Sequence, residues 1–148
     1  MKKLPKWVEL PQLDLYLDQV LLYVNEQTIS AISKNEKPLT PSMINNYVKH
    51  GHLEKPIKKK YNQHHVARLI VISLAKAVFA IADICAMIDL LSKERSADLL
   101  YDDFMTCLQE GQSEVHPVIA HACATIRSYQ KTLQTMQKLE EVQDESNL

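Results

Sequence analysis

Two glycines and only 6% aromatic residues in 148 leave little for a β-rich fold, which draws on glycine turns and aromatic strands. A helical protein is the first expectation. Cys85, Cys107 and Cys123 are odd in number and widely spaced, with no Cys-x-x-Cys pair, which speaks against both a disulfide framework and a zinc knuckle. Reduced thiols in a cytoplasm fit that usage. The longest apolar stretch, Leu69 to Ala82, is interrupted by Ser73 and Lys76 and is too short to span a bilayer. The start carries the charge of a signal peptide in Lys2 and Lys3, but Pro5, Lys6, Glu9 and Asp14 break any apolar run behind it. Catalytic signatures are also missing: there is no glycine-rich phosphate loop, Gly-x-Ser-x-Gly or His-Glu-x-x-His. Asp98, Asp102 and Asp103 read as solvated acids, and no enzyme activity or cofactor is expected. Cys107, His116, His121 and Cys123 are metal-ligand types whose spacing matches no metal loop, so no metal is expected either.

What is present is an uneven charge distribution. The net charge is only -1, yet residues 37–76 hold eight Lys and Arg against one Glu, a surplus of +7, whereas residues 77–148 carry -7. That partition points to a polyanion-binding face on one lobe only. The chain divides into three segments: 1–36, an N-terminal helix packed on the core; 37–92, the basic module; and 93–148, a helical region for dimerisation or packing.

Helical spacing of Leu17, Val20, Leu21 and Val24 predicts a first helix from about Asp14, its candidate cap, to Ser33. A polar loop ending at Pro38 separates it from a sharply punctuated short helix, Pro41 to His50. Thr40 is the N-cap, Pro41 fills the first position, and Gly51 supplies the left-handed end. Ile44, Tyr47 and Val48 form its apolar stripe. Ser42, Asn45, Asn46 and Lys49 recur on another side at i, i+3, i+4 and i+7. Asparagine is a mediocre helix former, so the adjacent pair asks for a reason. An extended lysine-rich segment, Lys55 to Tyr61, reads as a wing. Helices are then expected at Asn62–Phe79, Ile81–Leu91, Ala97–Gln109 and Pro117–Val142. The last places Ile119, Ala122, Ile126, Tyr129, Leu133 and Met136 in steps of three and four, enough for a dimer seam or for packing on its own lobe.

These residues resemble the DNA-binding domain of MerR-type transcriptional regulators, a winged helix-turn-helix family, over about fifty residues from Pro38 to Leu91, and point to an uncharacterised domain family of that superfamily. Ile44, Tyr47, Gly51, Leu53 and Tyr61 match the family's recognition helix and wing, and Val66-Ala67-Arg68-Leu69 with Ile81-Ala82-Asp83-Ile84 match its two succeeding helices. The family's arginine and first tyrosine on the recognition helix are here Asn45 and Asn46. The resemblance implies an all-α fold with a winged helix-turn-helix core and C-terminal helices, the last a dimerisation helix. It implies sequence-specific binding of double-stranded DNA by a homodimeric transcriptional regulator whose effector is unknown. Ser42, Asn45, Asn46 and Lys49 would face the major groove, where Asn suits adenine. His50, Lys55, Lys58, Lys59, Lys60 and Tyr61 would meet phosphates and set affinity. The alternative is a helical protein-protein interaction module without nucleic-acid binding, which accounts for the acidic half but leaves the basic block unexplained.

Overall fold

The computed structural model describes residues 3–111 and 114–147. Met1 and Lys2, part of the basic start, lie outside them. The chain is mostly helical with one two-stranded sheet. The order is β1 (Leu15–Tyr16), α1 (Leu17–Thr28), α2 (Pro41–Lys49), β2 (Lys60–Tyr61), α3 (Gln63–Ala75), α4 (Ile81–Leu91), α5 (Ala97–Glu110) and α6 (Pro117–Ser146).

Helix α3 is the centre. Its start is fixed by a reciprocal pair: Asn62 Oδ1 accepts from the His65 amide at 3.2 Å, and His65 Nδ1 accepts from the Asn62 amide at 3.0 Å. Leu69, Ile70 and Ile72 are fully buried on it, each contributing about 1.5–3 kcal/mol of apolar burial. Helices α1, α4, α5 and α6 all pack on α3, and α5 packs on α6. The buried cluster runs without interruption from Leu4 and Leu10 through Ile44 and Met105 to Ile126. The N-terminal residues are held from α5. Tyr101 Oη donates to the Pro5 carbonyl at 2.7 Å, Asp102 accepts from the Trp7 amide at 2.8 Å, and Lys6 donates to Thr106.

Four expected helix ends change. The first helix begins at Leu17, not at Asp14, because Leu15 and Tyr16 pair antiparallel with Tyr61 and Lys60. Gln19 Oε1 accepts from the Tyr16 amide at 2.9 Å and closes the first turn. That helix ends at Thr28 and α3 ends at Ala75, both short of the expected Ser33 and Phe79. Helix α6 runs past Val142 to Ser146.

The loop between α1 and α2 is long but pinned. The Asn25 side chain pairs with Leu39 as a strand partner would, donating to its carbonyl at 3.0 Å and accepting from its amide at 2.9 Å. Lys76 reaches across to Glu36 at 2.9 Å and to the Lys37 carbonyl at 3.1 Å. These contacts tie the loop to α1 and to the residue that follows α3.

Candidate nucleic-acid interface

Helix α2 is built as its residues dictate. Thr40 Oγ1 accepts from the Met43 amide at 3.2 Å, Pro41 opens the helix, and Gly51 closes it at φ 75°. Ile44 and Tyr47 are buried, so helical spacing turns the opposite side outward. Ser42, Asn45, Asn46 and Lys49 are all exposed there. His50 places Nδ1 2.9 Å from the Asn46 carbonyl and stacks on His52, ring centroids 6.1 Å apart. Both histidines thus extend the C-terminal end of α2.

Arg68 secures the root of the wing. Its Nε donates to the His52 carbonyl at 2.6 Å and its Nη1 meets Asp89 Oδ1 at 3.0 Å, tying the segment after α2 to α3 and α4. Burial works against the guanidinium charge, but the Asp89 hydrogen bond and the nearby charges outweigh it and hold its pKa above the ordinary arginine value. Burial pushes the neighbouring Cys85 thiol up against the pull of Arg68. The basic block therefore divides. Arg68 and Lys76 are structural cations, each in an ion pair. Lys49, Lys55, Lys58, Lys59 and Lys60 take part in no ion pair among the described residues.

The wing is a tight hairpin. Ile57 and Lys60 exchange both backbone hydrogen bonds at 3.0 Å, leaving Lys58 and Lys59 as the two turn residues. Both are left-handed, at φ 51° and 65°, as a type I′ turn requires. Lysine is a poor residue for that conformation; Asn-Gly is the usual choice. The turn thus lifts two exposed ammonium groups off its tip at a cost in backbone strain. Lys60 lies lower, its Nζ 5.3 Å from the centroid of the Tyr16 ring. Pairing of β2 with β1 roots the hairpin at the start of α1.

Tyr61 does not share the wing surface. It is 4% exposed and packs edge-on against His65, ring centroids 5.3 Å apart. Burial raises its pKa, and it is a core residue rather than a phosphate contact. The side chain alternates to the inner face of β2, which proximity to the lysines concealed.

The expected dimer seam also divides. Ile119 and Ile126 are buried against the protein's own core, and Ala122 and Tyr129 are half-buried. Cys123 between them is 1% exposed, with its thiol pKa raised by burial and by the nearby Cys107. The Gln130 side chain donates to the Ala31 carbonyl, a hydrogen bond from α6 to the body. Leu133 is half-buried, and beyond it every described residue is exposed, including Met136, Leu139 and Val142. The proximal half of the seam is thus intramolecular. Only the distal half is open to a partner. Of the remaining metal-ligand types, Cys107 is buried, His116 Nδ1 accepts from the Val118 amide as the cap of α6, and His121 is exposed.

Fold and surface together define a small helical domain that presents a capped polar helix and a lysine-tipped hairpin. Residues 5–104 match the family described as Domain of unknown function (DUF1836), and the chain belongs to that family. The match runs from the N-terminal segment into α5 and stops short of α6. No curated protein and no solved structure matches the chain. Among the described residues no helix is long and apolar enough to cross a membrane.

Proposed function

We propose that this protein binds double-stranded DNA sequence-specifically, as a winged helix-turn-helix regulator similar in plan to the MerR type, and acts as a homodimer. The observation that carries the reading is the wing: two exposed lysines, in no ion pair among the described residues, held at a left-handed tip in a hairpin that follows a helix whose outward face is Ser42, Asn45, Asn46 and Lys49. Strain retained at an exposed turn favours a role for the side chains it displays. Helix α2 is the recognition helix. Asn45 and Asn46 offer the paired donor and acceptor that suit adenine N6 and N7, a match worth about 1–3 kcal/mol of discrimination. Lys55, Lys58, Lys59 and Lys60, with His50 at the helix end, meet phosphates and hold the helix in register.

The dimer contact in this reading is the distal half of α6. Half-buried Leu133 and the exposed Met136, Leu139 and Val142 give it an apolar stripe. The acidic residues of the same stretch, Glu140, Glu141, Asp144 and Glu145, keep it away from the DNA.

The rival reading, a helical interaction module with no nucleic-acid role, draws on that same exposed stretch. It gives the strained lysine tip nothing to do. Selection of bound duplexes from a random pool separates the two. An enriched motif, relaxed by Asn45→Ala and weakened evenly by alanines at Lys58, Lys59 and Lys60, supports the regulator. A pool carried through without enrichment removes it.

A further inference from the structure

Behind the wing lies a feature that DNA binding does not use. A groove of about 500 Å³ runs between α4 and the α5–α6 pair with α3 as its floor. Its walls include Val71, Ile88, Leu100 and Phe104, and its volume falls within the range of small-molecule sites between helices. Of the polar side chains that α3 lends to the floor, His64, His65 and Arg68, the last two lie three residues apart and so share one face of α3.

Arg68 is a donor, and His65 is one in one of its two tautomers. His65 Nδ1 lies 3.0 Å from both the Asn62 amide nitrogen and Asn62 Oδ1; in the tautomer that accepts from the amide, the proton is on Nε2. That atom is buried without a hydrogen-bond partner among the described residues, on a residue only 2% exposed. A buried polar atom in this condition carries a desolvation cost that an incoming acceptor relieves. Arg68 is cationic and its side chain is 20% exposed, while the carboxylate it meets, Asp89, is 64% exposed. Asp89 can therefore turn into solvent and yield its place to another anion.

We propose that this groove binds an apolar small molecule bearing one carboxylate, its chain lying between α4 and α5 and its carboxylate meeting Arg68 and His65. The recognition chemistry is that of an aliphatic or aromatic monocarboxylic acid. Arg68 also holds the His52 carbonyl at the root of the wing, so an occupied groove acts on the segment that presents Lys58 and Lys59. The binding claim itself is independent of whether the wing meets DNA.

Trp7, the single tryptophan, lines the groove and serves as the reporter. Decanoate, decanol and decyltrimethylammonium are titrated against the full chain, following Trp7 emission and the thermal midpoint. Decanoate saturates and binds at least about tenfold more tightly than either of the others, equivalent to about 1.4 kcal/mol. Arg68→Met abolishes that preference while decanol still binds. Ala122→Phe, which adds a ring from a half-buried position on α6, abolishes all three while leaving the thermal midpoint of the unliganded protein within a few degrees. Equal binding of decanoate and the ammonium probe overturns the proposal, whatever the folding of the Arg68 variant. So does undiminished decanoate binding in the Ala122 variant. Absence of decanoate binding together with self-association lost in Ala122→Phe assigns the groove to a second copy of the chain, and also overturns it.

Discussion

Replacing Lys58-Lys59 with Asn-Gly tests stability and binding in opposite directions. Both lysines sit at positive φ, at 51° and 65°, where an L residue with a Cβ is disfavoured by about 1–2 kcal/mol. Asparagine tolerates the first position and glycine the second without that strain. Glycine returns about 0.5–1 kcal/mol through its greater freedom in the unfolded chain. The net gain is on the order of 1 kcal/mol, which raises the thermal midpoint of a chain this size by about 2–4 °C. The same change removes two of five expected phosphate contacts. Each contributes about 0.9 to the log-log salt slope, so the slope falls by about 1.8. Affinity for any duplex then drops roughly 60-fold at 0.1 M salt, and the difference closes toward 1 M. Thermal unfolding and fluorescence anisotropy on a labelled duplex read the two effects separately. Alanine at both positions keeps the strain and loses the charge, so it weakens binding without the gain in midpoint. An Asn-Gly variant that is less stable than the parent would refute the turn geometry, and an unchanged salt slope would refute the role of the wing.

The other predictions concern the helices and the buried titratable groups. Asn45→Ala relaxes sequence choice at one base position by about 1–3 kcal/mol, read as the affinity ratio between selected and mutated duplexes. Ile126→Ala costs about 2–5 kcal/mol in chemical denaturation because the side chain is buried against its own core. Met136→Lys with Leu139→Lys leaves stability unchanged and converts a dimer to a monomer by sedimentation; a mass that stays dimeric moves the contact elsewhere. Thr40→Ala loses the cap of α2 and costs about 1 kcal/mol. Burial raises the folded-state pKa of the Cys123 thiol and the Tyr101 phenol above 9.0 and 10.0 respectively. Groups raised in this way stabilise the fold fully below their unfolded values and less as pH climbs beyond them, by at most about 1.4 kcal/mol per pH unit each. Denaturation midpoints therefore decline above pH 9, and Cys123→Ala flattens the first part of that decline.

Local chemistry made much of the basic module legible. Thr40, Pro41 and Gly51 mark α2 because a cap, a first-turn proline and a left-handed end each depend on one residue and its neighbours. The face of α2 came from helical spacing alone. Contacts between distant residues were not legible in this way. Leu15 and Tyr16 form a strand only because Lys60 and Tyr61 come alongside, and two residues carry no period of their own. Lys58 and Lys59 give no signal for a type I′ turn, since lysine is not a left-handed residue; the hairpin is set by the bonds of Ile57 to Lys60. The three-four rhythm of α6 identifies an apolar stripe without saying what covers it. The structure divides that stripe near Leu133, with residues packed on the core before it and exposed helix after it. Pro5 and Trp7, in a segment whose sequence shows mainly charge and proline, are held by α5 about a hundred positions away.

Whether α2 and the wing meet duplex DNA is tested most directly by the affinity of the full chain for a random-sequence duplex, measured across salt concentration. Binding at low salt is expected to weaken with a log-log slope of roughly -4 to -5 per subunit, as about five phosphate contacts from Lys55, Lys58, Lys59, Lys60 and the end of α2 require. No retardation of excess duplex at low salt would contradict this role and leave the lysine-tipped hairpin to another polyanion or to none.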